Sequence, residues 1–118
     1  MELVTLEDGG LTIEEGQPGE AFITGPGDVD LIIEACFASG ARAALLYAEN
    51  LPVGLFDLSS CQAGSILQKL RQYRIRLAVV GGFERFSSRF GEMVAEESKG
   101  SDFRVFETRE AAREWLLG

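Results

Sequence analysis

The chain has 118 residues, of which 46 % are hydrophobic, with no histidine and a net charge of −8. This length and composition fit one folded domain rather than a disordered chain. The lack of histidine excludes Ser-His-Asp and Cys-His relays and histidine metal ligands, and the acidic balance argues against nucleic acid or an anionic membrane as partner.

The first forty residues are predicted to form a β-hairpin followed by a helix. Strands over 3–6 and 11–13 flank Asp8-Gly9-Gly10, where glycine supplies the positive φ of a tight turn. A helix is predicted over 29–39, after a cap at Asp28 and before a stop at Gly40. The run 21–23 is a candidate third strand. The inward stripe of the helix is predicted to contain Leu31, Ile32, Ala35, Cys36 and Phe37.

The remainder alternates strands with helices. The apolar run 43–47, the β-branched run 75–80, which ends at Gly81-Gly82, and the run 103–106 are predicted strands. Three helices are predicted, over 61–73 with Ala63, Ile66, Leu67 and Leu70 inward, over 84–97, and from a cap at Thr108 to Leu117. We therefore expect one α/β domain over residues 1–118. Its sheet would be a single-layer, mixed, mainly parallel sheet of about five strands, with an N-terminal hairpin and about four helices.

Charge is unevenly distributed along the chain. Residues 1–60 contain 11 acidic side chains and one basic side chain, Arg42, whereas residues 61–118 contain 10 basic and 8 acidic side chains. A basic run that includes Lys69, Arg71 and Arg74 is either the solvated face of a helix or a binding face for an acidic partner, including another copy of the chain.

The segment 56–64 is the most informative one for chemistry. It leaves a strand, turns and opens a helix, whose first N–H groups favour negative charge. Ser59 or Ser60 is placed to cap this helix or to carry a phosphate there, while Cys61 is either a small core residue or a reactive thiol. Gln62 continues this polar helix start.

A second candidate region is the edge of the sheet where the parallel strands end. Open α/β sheets bind ligands at that edge. Six residues are expected there: Tyr47, Asn50, Asp57, Ser59, Ser60 and Gly81. We find no paired-carboxylate, metal or nucleotide motif, so no catalytic residue, metal or cofactor is assigned. Whether the chain is an enzyme is left open, with a non-catalytic role favoured.

The chain resembles the bacterial domain of unknown function 4180 family. The resemblance covers nearly the whole chain and is densest from Leu55 to Gly100. It is carried by Phe56-Asp57-Leu58, Ala63-Gly64, Ile66-Leu67-Gln68-Lys69-Leu70, Tyr73-Arg74, Leu77-Ala78-Val79-Val80-Gly81, Phe83 and Lys99-Gly100. The chain departs from the family pattern at Ser59-Ser60-Cys61, at Ser65 and at Gly81-Gly82, and the family name implies no activity.

The wider layout resembles the sulfate-transporter and anti-sigma-factor-antagonist (STAS) domain. In that family a strand leads into Asp-Ser-Ser-Gly-Leu-Gly and then a helix, and Ala63-Gly64 matches the Leu-Gly of this motif. The resemblance implies a STAS-like fold, with Ser60 at the phosphorylated position and Ser59 in place of the aspartate. The segment 105–112 echoes the last motif of the family.

Two functions follow as expectations. One is a non-catalytic regulatory or protein-interaction module, switched at Ser60, that uses the segment 50–64 and the basic helix with Lys69, Arg71 and Arg74. The alternative is a small-molecule-binding domain or minor enzyme at the strand-end edge around Asn50, Asp57 and Ser60. The partner is an unknown protein, and homodimerisation through an edge strand or the apolar helix face is compatible with the first function. The N-terminus lacks the pattern of a signal peptide and no apolar run reaches bilayer length, so a cytoplasmic location is expected.

Overall fold

A computed structural model shows a single sheet covered by helices. The strands of the sheet form from the apolar runs of the sequence. The structure describes residues 3–8, 10–17, 29–50, 62–81, 91–92, 95–96, 100 and 102–117. For residues 8 and 62–66 the backbone alone is described. The segment with Asp57, Ser59, Ser60 and Cys61 lies outside the described residues, and so do the candidate strand 21–23 and the cap at Asp28.

Within the described residues, the sheet has five strands in the order β1-β2-β3-β4-β5. Their bounds are β1 Val4–Asp8, β2 Leu11–Glu15, β3 Ala43–Tyr47, β4 Arg76–Val80 and β5 Phe103–Phe106. β1 and β2 are antiparallel, and β2, β3, β4 and β5 pair in parallel. The predicted five-strand mixed sheet with an N-terminal hairpin is confirmed, and Gly10 supplies the hairpin's positive φ of 82°.

Three α-helices have both ends within the described residues. They are α1 Val29–Ser39, α2 Gln62–Gln72 and α3 Arg109–Leu117, and a short 3-10 turn spans Ala48–Asn50. Thr108 caps α3 as predicted, since its Oγ1 accepts a hydrogen bond from the Ala111 N–H at 3.2 Å. The fourth predicted helix, 84–97, falls mostly outside the described residues, with helical backbone at 91–92 and 95–96.

The helices cover both faces of the sheet. One core cluster joins α1 and the buried Leu70 of α2 to Leu46, Leu77 and Phe103 of the sheet. The second cluster lies on the opposite face, where Ala112 and Leu116 of α3 pack against the strands. Among the described residues, no helix is long and apolar enough to cross a membrane.

The inward face of α1 differs from the predicted one. Its buried residues are Val29, Ile32, Ile33 and Cys36, whereas Leu31 and Phe37 are 45 % and 66 % exposed. Positions 29, 32, 33 and 36 follow the helical period, and Leu31 and Phe37 lie about 90° or more away from their centre. The prediction was right for Ile32 and Cys36 and wrong for Leu31 and Phe37. It chose a stripe that was too broad and did not follow the helical period through the buried positions.

We expect Ile32→Ala and Leu31→Ala to differ in their effect on stability, because they truncate the buried and the exposed face of α1. Ile32 is fully buried, so its truncation should lower the free energy of unfolding by about 2–4 kcal/mol. Truncation of the exposed Leu31 should change it by less than about 0.5 kcal/mol. Urea denaturation of both variants gives the comparison, and equal losses would contradict the observed orientation of the helix.

Candidate functional site

A buried carboxylate lies at the carboxyl end of β2 and binds groups from distant parts of the chain. Arg109, the first residue of α3, donates from Nε to Oε2 of Glu15 at 2.8 Å and from Nη2 to Oε1 at 2.9 Å. The hydroxyl of Tyr47, the last residue of β3, donates to Oε2 at 2.7 Å. The side chain of Glu15 is 11 % exposed. Both oxygens of the carboxylate are therefore engaged by side chains.

These contacts fix the charge of the three groups. Burial favours the neutral form of Glu15, but the hydrogen bonds from Arg109 and Tyr47, with the charge of Arg109, outweigh it and lower its pKa. Burial and the bond to Glu15 raise the pKa of Tyr47 to about 12, and the bond to Glu15 raises the pKa of Arg109. At neutral pH the cluster is a carboxylate held by a guanidinium and a neutral phenol, which is an arrangement suited to joining α3 to the sheet.

Asn50, a predicted binding residue, forms a second set of hydrogen bonds at the same edge. Its Oδ1 accepts the Tyr47 N–H at 2.8 Å, and its Nδ2 donates to the Gln17 carbonyl at 2.7 Å. Asn50 is fully buried, and its side chain lies directly against Gly16, where an added Cβ would collide with Oδ1. The structure gives Asn50 a structural role, and its predicted contact with a ligand stays a prediction.

Of the other predicted site residues, the structure describes the basic ones and the backbone of Gln62. Asp57, Ser59, Ser60 and Cys61 lie outside the described residues, and Gln62 is described as the backbone start of α2. The basic residues Lys69, Arg71 and Arg74 are described. Lys69 Nζ forms an ion pair with Asp30 Oδ1 at 2.6 Å, and Arg71 Nε one with Asp102 Oδ2 at 3.3 Å. Both ion pairs are about half exposed, and such pairs contribute little to stability.

An aromatic pair lies exposed where α1 and α2 end. The rings of Phe37 and Tyr73 meet edge to face, with centroids 5.5 Å apart and planes at 76°. Phe37 is 66 % and Tyr73 45 % exposed. Beside them are Arg42 and Arg74, both exposed and without an ion-pair partner among the described residues. We call these four residues the aromatic–arginine surface.

The aromatic–arginine surface borders a groove of about 380 Å³. The groove is completed by Cys36, Gly40, Ala41 and Ile75. Burial and the nearby charge of Glu14 raise the pKa of the Cys36 thiol to about 12, so the thiol stays protonated and unreactive at neutral pH. The groove is thus lined by apolar and aromatic residues and by two arginines. Within the described part of the chain, no cluster of three or more His, Cys, Asp or Glu residues could hold a metal ion.

Sequence reasoning missed both features. Glu15 and Arg109 are 94 positions apart, and no local pattern marks either residue as a partner of the other. The sequence prediction places Phe37 in the core, although a stricter helical phase through Ile32, Ile33 and Cys36 places it outside. The strand-end prediction did select Tyr47 and Asn50, which the structure brings together.

Comparison with known proteins adds a family and no activity. A family model described as "Domain of unknown function (DUF4180)" matches residues 9–116. Searches of curated proteins and of solved structures each gave no match. The resemblance to the STAS domain is thus supported by the sequence pattern alone.

We expect Glu15→Gln to make stability less dependent on acid pH. The folded pKa of Glu15 lies below its ordinary value of 4.5, so its ionised form stabilises the fold above that value. This stabilisation is lost as pH falls through the lowered pKa. At pH 7 the variant should lose about 2 kcal/mol of unfolding free energy, and the difference from wild type should shrink below about pH 4. Urea denaturation between pH 3 and 7 measures it, with exposed Glu107→Gln as the control.

Gly16→Ala tests the tie made by Asn50. The new methyl group would collide with the Asn50 side chain, and we expect a loss of about 1–3 kcal/mol in unfolding free energy. In an Asn50→Ala background the collision with the amide is gone and only the tight contact with Leu46 remains, so the same glycine substitution should cost less. Additive losses in the double-variant cycle would show that the two residues do not interact.

Proposed function

Because the chain belongs to the domain of unknown function 4180 family, whose name carries no activity, we propose its function from the described geometry. It is a non-catalytic regulatory module that binds another protein through the aromatic–arginine surface. One observation carries the proposal: an exposed pair of aromatic rings, Phe37 and Tyr73, lines the same groove as two arginines that have no acidic partner among the described residues.

The aromatic pair favours a protein contact because it has no evident role in the core. Large exposed apolar groups that occur together, rimmed by polar residues, are typical of interaction surfaces. Aromatic and arginine side chains are enriched at the energetic centres of interfaces, whereas lysine and glutamate are depleted there. The groove beside Phe37 and Tyr73 offers a concave place for one apolar side chain of a partner.

The charges favour an acidic partner. Arg42 and Arg74 border the groove, and Lys69 and Arg71 continue the basic side chains along α2. A partner that presents carboxylates would pair with Arg42 and Arg74 and would be attracted from a distance. The apolar residues of the groove favour an uncharged or aromatic side chain of the partner next to its carboxylates.

Two finer parts of the sequence-based prediction belong to this proposal. A phosphate on Ser60 would add about −2 charge two residues before α2 begins, and such a group could regulate binding along that helix. The resemblance to the STAS domain implies such a phosphorylation switch at Ser60. Ser60→Asp and Ser60→Ala variants that bind the partner identically would remove the switch from the proposal.

The small-molecule alternative at the strand-end edge is less well supported. The polar groups described there satisfy one another: Glu15 is bound by Arg109 and Tyr47, and Asn50 by backbone groups. A ligand would have to displace these bonds or use Asp57 and Ser60. We therefore rank protein binding above it.

Site-specific photo-crosslinking in growing cells tests the proposal. A benzophenone amino acid replaces Phe37, and a matched variant carries it at Leu117, which is 40 % exposed on the opposite face. We expect a discrete protein adduct from position 37, and we expect Arg42→Glu with Arg74→Glu to reduce it by about tenfold or more.

The crosslinked partner should be an acidic protein. No adduct at position 37, or the same adducts at positions 37 and 117, would overturn the proposed surface. An adduct that survives both arginine substitutions would overturn the role of charge.

A further inference from the structure

We infer that the partner at this surface is a second copy of the chain, docked through the layer formed by α1 and α2 about a two-fold axis parallel to the helices. This inference rests on the proposed function, because it names the partner of the same surface. Three observations carry it: the direction of the two helices, the separation of their charges and the level at which their side chains meet.

The two helices run in the same direction. β2, β3 and β4 are parallel neighbours, so α1 and α2 each return from the carboxyl end of one strand to the amino end of the next. Both contribute to the same core cluster and therefore lie side by side on one face of the sheet. Their outer surfaces form one continuous layer.

The layer separates charge by helix. α1 carries Asp30 and Glu34 and no basic residue, whereas α2 carries Lys69 and Arg71 and no acidic residue. The layer as a whole is neutral but has an acidic side and a basic side. Such a surface is complementary to itself, since a copy rotated by a half turn presents its basic side to the acidic one.

In-chain contacts show which residues share a level along the helix axes. Asp30 pairs with Lys69 near the start of α1, and Phe37 meets Tyr73 near its end. Glu34 lies midway between Asp30 and Phe37, and Arg71 midway between Lys69 and Tyr73, so these two are at similar levels. A two-fold axis parallel to the helices keeps levels unchanged.

Rotation about that axis sets α1 of one copy opposite α2 of the other. It places Glu34 against Arg71 of the second copy, and Phe37 against its Tyr73, at each of two equivalent positions. The apolar side chains needed for the contact are present: Leu31, Phe37 and Tyr73 are three of the six exposed large hydrophobics among the described residues. The four rings would then form one cluster at the end of the interface.

The expected interface is small. Stable interfaces bury about 800 Å² per partner, roughly an eighth of the 6248 Å² surface of the chain. The surface of two helices of 11 residues would bury an area at the low end of that range. Micromolar association is therefore expected. Because charge contributes, the association should weaken as salt is raised.

A charge exchange provides the test. We expect Glu34→Arg to weaken self-association about tenfold or more, since like charges then meet at both positions. Arg71→Glu should do the same. An equimolar mixture of the two variants should associate again, because one contact then pairs the introduced arginine with the introduced glutamate and the other keeps the original pair. Sedimentation velocity from about 5 to 500 µM measures it.

Controls separate interface effects from folding. Glu114→Arg makes the same charge change on exposed α3 and should leave association unchanged. Since Arg71 also pairs with Asp102, circular dichroism establishes that each variant is folded. If Arg71→Glu is not, Gln72→Glu at the neighbouring exposed position of α2 replaces it. A monomeric wild type across the whole range, or a mixture that stays monomeric, would overturn the dimer.

The crosslinking experiment distinguishes this failure from failure of the proposed function. An adduct of twice the chain mass at position 37 supports both. An adduct with a different protein retains the interaction surface and overturns the second copy as its partner. The absence of any adduct overturns both.

Discussion

The order of the strands constrains everything else in this molecule. Each strand neighbours the one before it in sequence, and β2 to β5 run in parallel. Crossovers between such strands are almost always right-handed, so successive connecting helices must lie on one face. This explains why α1 and α2 share one core cluster. α3 follows β5 and covers the other face.

The position of α3 is held by side-chain contacts, and one of them is made by Glu15. α3 has nine residues, too short to be stable alone. It buries Ala112 and Leu116, while Arg109 binds the Glu15 carboxylate of β2. At the other end of α3, Arg76 donates to the carbonyls of Trp115 and Leu116 and stacks on the Trp115 ring at 4.4 Å. Arginine thus fixes both ends of the helix to the sheet.

Much of the fold could be predicted because its signals are local. The predicted bounds of α1, β3 and β5 agree with the structure, since apolar runs and the positive φ of Gly40 delimit them. The partnership of Glu15 with Arg109 could not be predicted, because it depends on the register of β2 and on where α3 begins. The exposure of Phe37 depends on helical phase, which apolar content alone does not define. The predicted switch at Ser60 lies outside the described residues and stays a prediction.

The uneven charge along the sequence acquires a spatial meaning in the fold. The acidic half of the chain includes α1 and the more basic half begins with α2, so the boundary between the halves runs along the contact of these two helices. The ion pair of Asp30 with Lys69 bridges them. Charges that face outward on such a boundary attract a matching boundary more strongly than a uniform surface does. The same charged residues scattered at random would give the same net charge but no preferred direction of approach. The arrangement of the charges, rather than the net charge, therefore indicates a specific partner.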